Sequence, residues 1–256
     1  MKIVVAYKWA PNPQDASVGA DGVVDWGRAK PAVSEYDPVA VELGRVLADA
    51  TGAELIGITV GGPDAGSPMA RKAALSRGLD RAVILADDAL AGADTTRTGL
   101  ALAALVERIG EVDLVLTGDS SVDVGAQLVP AVLAGALGWP ALTGVTAVSG
   151  TAGSLTVERG HDGGTQTLAL TGPAVLAVAA DAVQPRVPGM KDILAAGKRP
   201  AEVLDTAAVP VPAGAVRVIA TAPPVLKARR GQVIDAADPA AAAAELVAAL
   251  RADAVI

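Results

Sequence analysis

Glycine and aspartate recur where apolar runs of strand length stop. Ala6 closes one run and Gly61-Gly62 closes another. Gly118 closes a third and leads through Asp119, Ser120 and Asp123 to Gly125, Ala126 and Gln127. Glycines at such ends let a ligand come close to the main chain. A helix starting after Gly125 turns its first N–H groups outward, which suits an anion. This pattern fits a nucleotide or phosphate pocket. It fits ordinary strand-to-helix turns equally well, because those also take Gly and Asp. Neither a Walker A loop nor a Gly-x-Gly-x-x-Gly run occurs. Asp119 and Asp123 read as turn or cap residues, and no acid–base pair or activated nucleophile stands out. Cysteine is absent and His161 is the only histidine. Thiolate chemistry, Cys-ligated clusters and multi-histidine metal sites are therefore excluded. His161 sits in GHDGG and reads as an exposed turn residue.

A second stretch, Pro173 to Pro200, is unusual in another way. An apolar run, PAVLAVAA, gives way to Gln184-Pro185-Arg186, then Pro188-Gly189-Met190, Ile193 and a basic exit at Lys198-Arg199. The prolines fix φ and push their predecessors toward extended geometry. The result is a shaped loop with an apolar tip. On residue types it is either a plain connector or a docking loop for a partner protein.

The elements that must position these residues follow from the pattern. KIVVAY (2–7), Glu54–Val60, Arg81–Ala86 and Asp113–Thr117 read as buried parallel strands. Helices are expected between them: one entered at Asp37-Pro38, with Asp37 as its cap, one over Ser67–Arg77, one over Asp94–Arg108, and one ending at Leu137. Strand–helix alternation of this kind predicts a parallel sheet with right-handed crossovers, whose ligands sit at the strands' carboxyl ends. After Trp139-Pro140 the texture changes to three strand-like runs joined by Gly-rich turns, an antiparallel extension of the sheet. From Ala201 the chain is Val/Pro-rich and reads as an arm, and Asp238-Pro239 opens a last helix. The 256 residues carry a net charge of −7, which argues against nucleic-acid binding. No apolar run is long enough for a membrane span, so a cytoplasmic protein with no membrane insertion is expected.

Several separated pieces together resemble one family. They are VAYK, DPVAVE, TVGGP, AALSRGLDRAV, ADTTRTGLALAAL, LVLTGDSSVDVGAQLVP, VERGHDGGTQTLAL and QPRVPGMKDILAAGKRP, in that order. The chain, over nearly its whole length, resembles the β subunit of electron transfer flavoproteins (FixA type). That resemblance implies a Rossmann-like α/β fold of the adenine nucleotide alpha hydrolase type over residues 1–177, a partner-recognition loop over 178–200, and a C-terminal arm and helix over 201–256 that dock on an α subunit. It implies AMP in this chain and FAD held mainly by the α subunit. It also implies electron delivery from flavin dehydrogenases to a quinone oxidoreductase or another acceptor, with no catalytic side chain here. By position, the nucleotide contacts would be Ala6, Asp37, Pro38, Val39, Ala40, Gly61, Gly118, Asp119, Ser120, Asp123, Gly125, Ala126, Gln127, Leu128 and Val129. The docking residues would be Pro185, Arg186, Pro188, Gly189, Met190 and Ile193, with Met190 at the anchor position. The loop DVGAQLVP lacks the hydroxyl and later glycine usual in the family, which leaves main-chain N–H groups as the phosphate ligands. A different class, a stand-alone adenine-nucleotide-binding regulatory module, accommodates the same eroded loop.

Overall fold

The computed structural model describes residues 1–214, 216, 219, 222, 224–226, 228, 229, 231–235 and 238–256. Its chain divides into two units, Met1–Ala220 and Thr221–Ile256.

In the first unit, β1 (Lys2–Ala6) leads into short strands β2 (Trp9–Pro11), β3 (Ser17–Val18), β4 (Val24–Asp25) and β5 (Pro31–Val33). Strands β3 and β4 form a small hairpin around Asp21-Gly22, while β2 pairs with β5. The main framework follows: α1 (Asp37–Thr51), β6 (Glu54–Gly61), α2 (Pro68–Leu75), β7 (Arg81–Ala86), α3 (Thr95–Ile109), β8 (Leu114–Gly118) and α4 (Val129–Leu137). Next come β9 (Ala141–Thr151), β10 (Ser154–His161), β11 (Gly164–Leu170), β12 (Ala174–Val178), α5 (Met190–Ala196) and β13 (Ala201–Leu204).

One nine-stranded sheet, in the order β11-β10-β9-β12-β8-β1-β6-β7-β13, carries the architecture. Strands β12, β8, β1, β6, β7 and β13 run parallel, β9 runs parallel to β12, and β10 is antiparallel to both β9 and β11. This is the Rossmann-like α/β fold with an antiparallel extension that the sequence predicts. Side chains alternate across the pleat. Ile3, Val5, Leu114 and Leu116 pack on one face with α1 and α2; Val4, Ile56, Ile58 and Val115 pack on the other with α3 and α4. Because both faces are covered, the central strands are continuous apolar runs. Helix α1 comes close to its face at Gly44, where an added Cβ would lie 2.8 Å from Leu55 Cδ1.

Two local expectations change. Asp37 does not cap α1: the cap position is Tyr36, with no side-chain bond, and Asp37 is the first helical residue. Ala201–Leu204 is not the start of a free arm but an edge strand paired with β7, fixed further by Arg108 Nη2 donating to Glu202 Oε1 at 2.8 Å. Just beyond it, Thr206 donates to Asp87 and Val209 is buried. The rest of the expected arm falls partly outside the described residues.

In the second unit, α6 (Pro239–Ala252) is capped by Asp238, which accepts from Ala240 N and Ala241 N. None of its side chains is buried. Among the described residues no helix is long and apolar enough to cross a membrane.

Candidate functional site

From β1 the chain builds outward through β6 to β7, then returns to place β8 on β1's other side. Strand order therefore reverses between β1 and β8, and a crevice opens outside their carboxyl ends at such a point. Here it is a cavity of about 710 Å³, within the range of roughly 300–1,000 Å³ typical of small-molecule sites.

Its floor is made by the strand ends Ala6, Gly61 and Gly118. One wall is the loop after β8, with Asp119, Ser120, Asp123, Ala126, Gln127 and Val129. The opposite wall is the first turn of α3, where Thr95 and Thr98 face the space and Asp94 accepts from Arg97 N at 2.8 Å. Val60, Leu90 and Leu102 give an apolar side. Val216, whose N–H donates to Asp94 Oδ2 at 3.3 Å, lies at the rim.

Asp37 organises the junction of floor and wall. Its Oδ2 accepts from Lys8 N at 2.7 Å, and the Gly118 N–H also donates to this carboxyl. It is 5% exposed. Burial raises its pKa to about 7, and this outweighs the two N–H groups and the positive charges of Lys8 and Arg77. Gly118 must be glycine for this contact. A Cβ there would lie 2.7 Å from Asp37 Oδ1 and 2.8 Å from Tyr36 Cβ.

Lys8 then reaches across the mouth. Its Nζ donates to both carboxylate oxygens of Asp123 at 2.7 Å. Burial pushes the Asp123 carboxyl up, but the Lys8 bond and charge outweigh it and the net shift is downward. Asp119 is raised by burial, with a smaller push from Asp181. Lys8, the one lysine among the described residues that line the cavity, is thus already paired, and main-chain dipoles are the other source of positive potential for an anion there.

Those dipoles are present. The N–H groups of Ala126, Gln127 and Leu128 make no hydrogen bond among the described residues, and they stand at the entrance to α4. Gly125 has φ of 64° and Gln127 has φ of 56°. For a residue with a side chain this left-handed geometry is uncommon and tends to mark functional loops. Among the described residues, three that line the space carry a buried polar atom without a hydrogen-bond partner: Thr117 Oγ1, Asp119 Oδ1 and Trp9 Nε1. A buried polar atom without a partner costs about 1–3 kcal/mol.

The electron transfer flavoprotein domain matches residues 21–209, well over half of the chain. The chain belongs to the electron transfer flavoprotein family. Members of this family are flavin-associated electron carriers that work with flavin dehydrogenases and a second subunit.

For a family member, the expected contacts divide clearly. Ala6, Asp37, Gly61, Gly118, Asp119, Ser120, Asp123, Ala126, Gln127 and Val129 line the cavity. Pro38, Val39 and Ala40 do not: they are buried inside α1, against the sheet. Gly125 and Leu128 belong to the same loop but are not among the residues that line the space. The residues sequence reasoning missed are Lys8 and Trp9, just past β1, and the Asp94–Thr98 turn. The latter stands beyond the carboxyl end of β7, the same position class as Gly61 and Gly118, but its aspartate carries the signal of an ordinary helix cap.

The predicted docking residues lie together on another surface. Pro185 and Pro188 are half-buried and shape the approach to α5. Gly189 N donates to Asp192 Oδ2 at 2.9 Å, which starts that helix. Met190 is 72% exposed and Ile193 is half-buried. Arg186 turns away from the tip and binds Glu42.

Proposed function

We propose that this chain is the β subunit of a heterodimeric electron transfer flavoprotein. It holds AMP structurally in the cavity, docks a flavin dehydrogenase through residues 185–193, and pairs with an α subunit through residues 201–256. Electrons pass on to a membrane quinone oxidoreductase or another acceptor. The bound FAD, held mainly by the α subunit, supplies the redox chemistry.

The observation that carries the nucleotide assignment is the loop between β8 and α4. It offers unused N–H groups at a helix start, with a strained Gln127, beside the unpartnered Thr117 hydroxyl. The phosphate would be held by the N–H groups of Ala126 and Gln127, at the mouth of the helix start. Thr117, Asp119 and Trp9 would meet the polar atoms of sugar and base, and Val60, Leu90 and Leu102 would meet the ring faces. Lys8 keeps the loop closed by holding Asp123.

The test is to co-express the chain with an α-type flavoprotein, purify the complex, precipitate it with acid and identify released small molecules by mass spectrometry. AMP together with a flavin-yellow complex supports the proposal. AMP from a chain that binds no α-type protein supports a stand-alone nucleotide-binding module instead. A colourless chain that releases no nucleotide refutes both.

A further inference from the structure

The segment between Pro185 and Arg199 presents its apolar side chains to solvent. Val187 is 89% exposed, Met190 72% and Leu194 63%, and the only buried residue of α5 is Ala196. Ala196 joins the core and Ile193 is half-buried, but the exposed side chains add no hold, and polar contacts at both ends of the segment help to fix it.

Both ends are pinned by arginines. Arg186 Nε donates to Glu42 Oε2 at 2.6 Å and Nη2 donates to Oε1 at 2.8 Å, a two-pronged fork. Its main-chain N–H adds a third bond to Glu42 Oε2 at 3.2 Å. Glu42 lies on α1 with a side chain only 11% exposed. The Arg186 bonds hold its carboxyl below the ordinary glutamate range, outweighing the burial that raises it. At the other end, Arg199 Nη1 donates to the carbonyls of Leu75 and Leu79, at and just beyond the end of α2. Carbonyls in that place lack helical partners.

We infer that Glu42 is a positioning residue for partner docking: by gripping Arg186 it holds the loop so that Val187, Met190 and Leu194 stand out as one preformed apolar surface. The inference rests on the reading of this loop as the docking element. Its physical basis is preorganisation. A loop already fixed in its bound shape loses less conformational freedom on association. Glu42 itself, nearly covered by Arg186, is not part of the surface a partner would touch.

The experiment uses the heterodimer and a flavin dehydrogenase that reduces the wild-type protein. Glu42→Gln weakens a charged, fork-shaped contact and should raise the KM for the dehydrogenase roughly tenfold, the equivalent of about 1.4 kcal/mol. Its kcat should stay within about twofold, and trypsin should cut after Lys191 faster. Arg186→Lys keeps the charge but loses the fork and should move KM and cleavage in the same direction; it carries the test if Glu42→Gln does not fold. The double variant should be no worse than either single one, because one contact is lost in all three. Additive effects, or wild-type KM and cleavage for Glu42→Gln, would overturn the inference. Met190→Ala separates the two levels. If it raises KM while Glu42→Gln does not, the docking reading stands and the inference falls; if Met190→Ala leaves KM unchanged, the docking reading falls as well.

Discussion

Asp37 gives the fold a pH dependence whose sign and size follow from its surroundings. Its folded pKa is about 7, against 3.8 for an ordinary aspartate, because burial penalises its charge. Between about pH 4 and pH 7 the folded chain keeps a proton at Asp37 that the unfolded chain has released. The stability this group contributes is therefore fully present below about pH 4, declines as pH rises, and is gone above about pH 7. A shift of about three pKa units corresponds to about 4 kcal/mol over the whole window. The part accessible between about pH 5 and pH 8 is about 3 kcal/mol. Asp37→Asn removes the titration and keeps the shape. Urea unfolding of both proteins across that range, without added nucleotide, isolates the effect as a difference, because other groups cancel. The stability of the wild type minus that of Asp37→Asn should fall by about 3 kcal/mol from pH 5 to pH 8. A difference that stays flat would refute the reasoning and show that Asp37 is charged throughout.

Two further substitutions probe the floor and the wall of the cavity. Gly118→Ala places a methyl group 2.7 Å from Asp37 Oδ1 and should destabilise the chain by about 1–3 kcal/mol, read from the urea midpoint at constant slope. A change within about 0.5 kcal/mol would mean that the Tyr36–Asp37 corner yields freely. Gln127→Gly relieves the φ of 56° and should raise stability by less than about 1 kcal/mol, since glycine also gains freedom in the unfolded chain. Bound AMP should survive this change, because the N–H groups remain; its loss would show that the glutamine side chain holds the nucleotide.

Much of the frame was legible because its signals are local. Central strands buried on both faces give uninterrupted apolar runs, and the caps Asp94 and Asp238 bond within three residues of themselves. Asp37 misleads for the opposite reason. Asp before Pro at a helix start is a strong local cap signal, yet its carboxyl turns to Lys8, 29 positions away. Val39 and Ala40 follow it into the core. The strand Ala201–Leu204 is only four residues long and owes its place to β7, with Arg108 as an outside partner. The Glu42–Arg186 contact joins residues 144 positions apart, and nothing in either neighbourhood announces the other. The cavity's floor was readable from glycines at strand ends; its α3 wall was not, because Asp94–Thr98 reads first as an ordinary cap.

The chain contains no phenylalanine, two tyrosines and three tryptophans, and Trp9 is the tryptophan that lines the cavity. Its indole N–H is buried and without a partner among the described residues, whereas Trp26 lies by the β3–β4 hairpin and Trp139 just beyond α4. Indole emission responds to a new hydrogen bond and to the exclusion of water, so the molecule carries a built-in optical reporter of what enters the crevice. With so few other aromatic rings, filling and emptying can be followed at equilibrium or in a stopped-flow mixer, with no label attached.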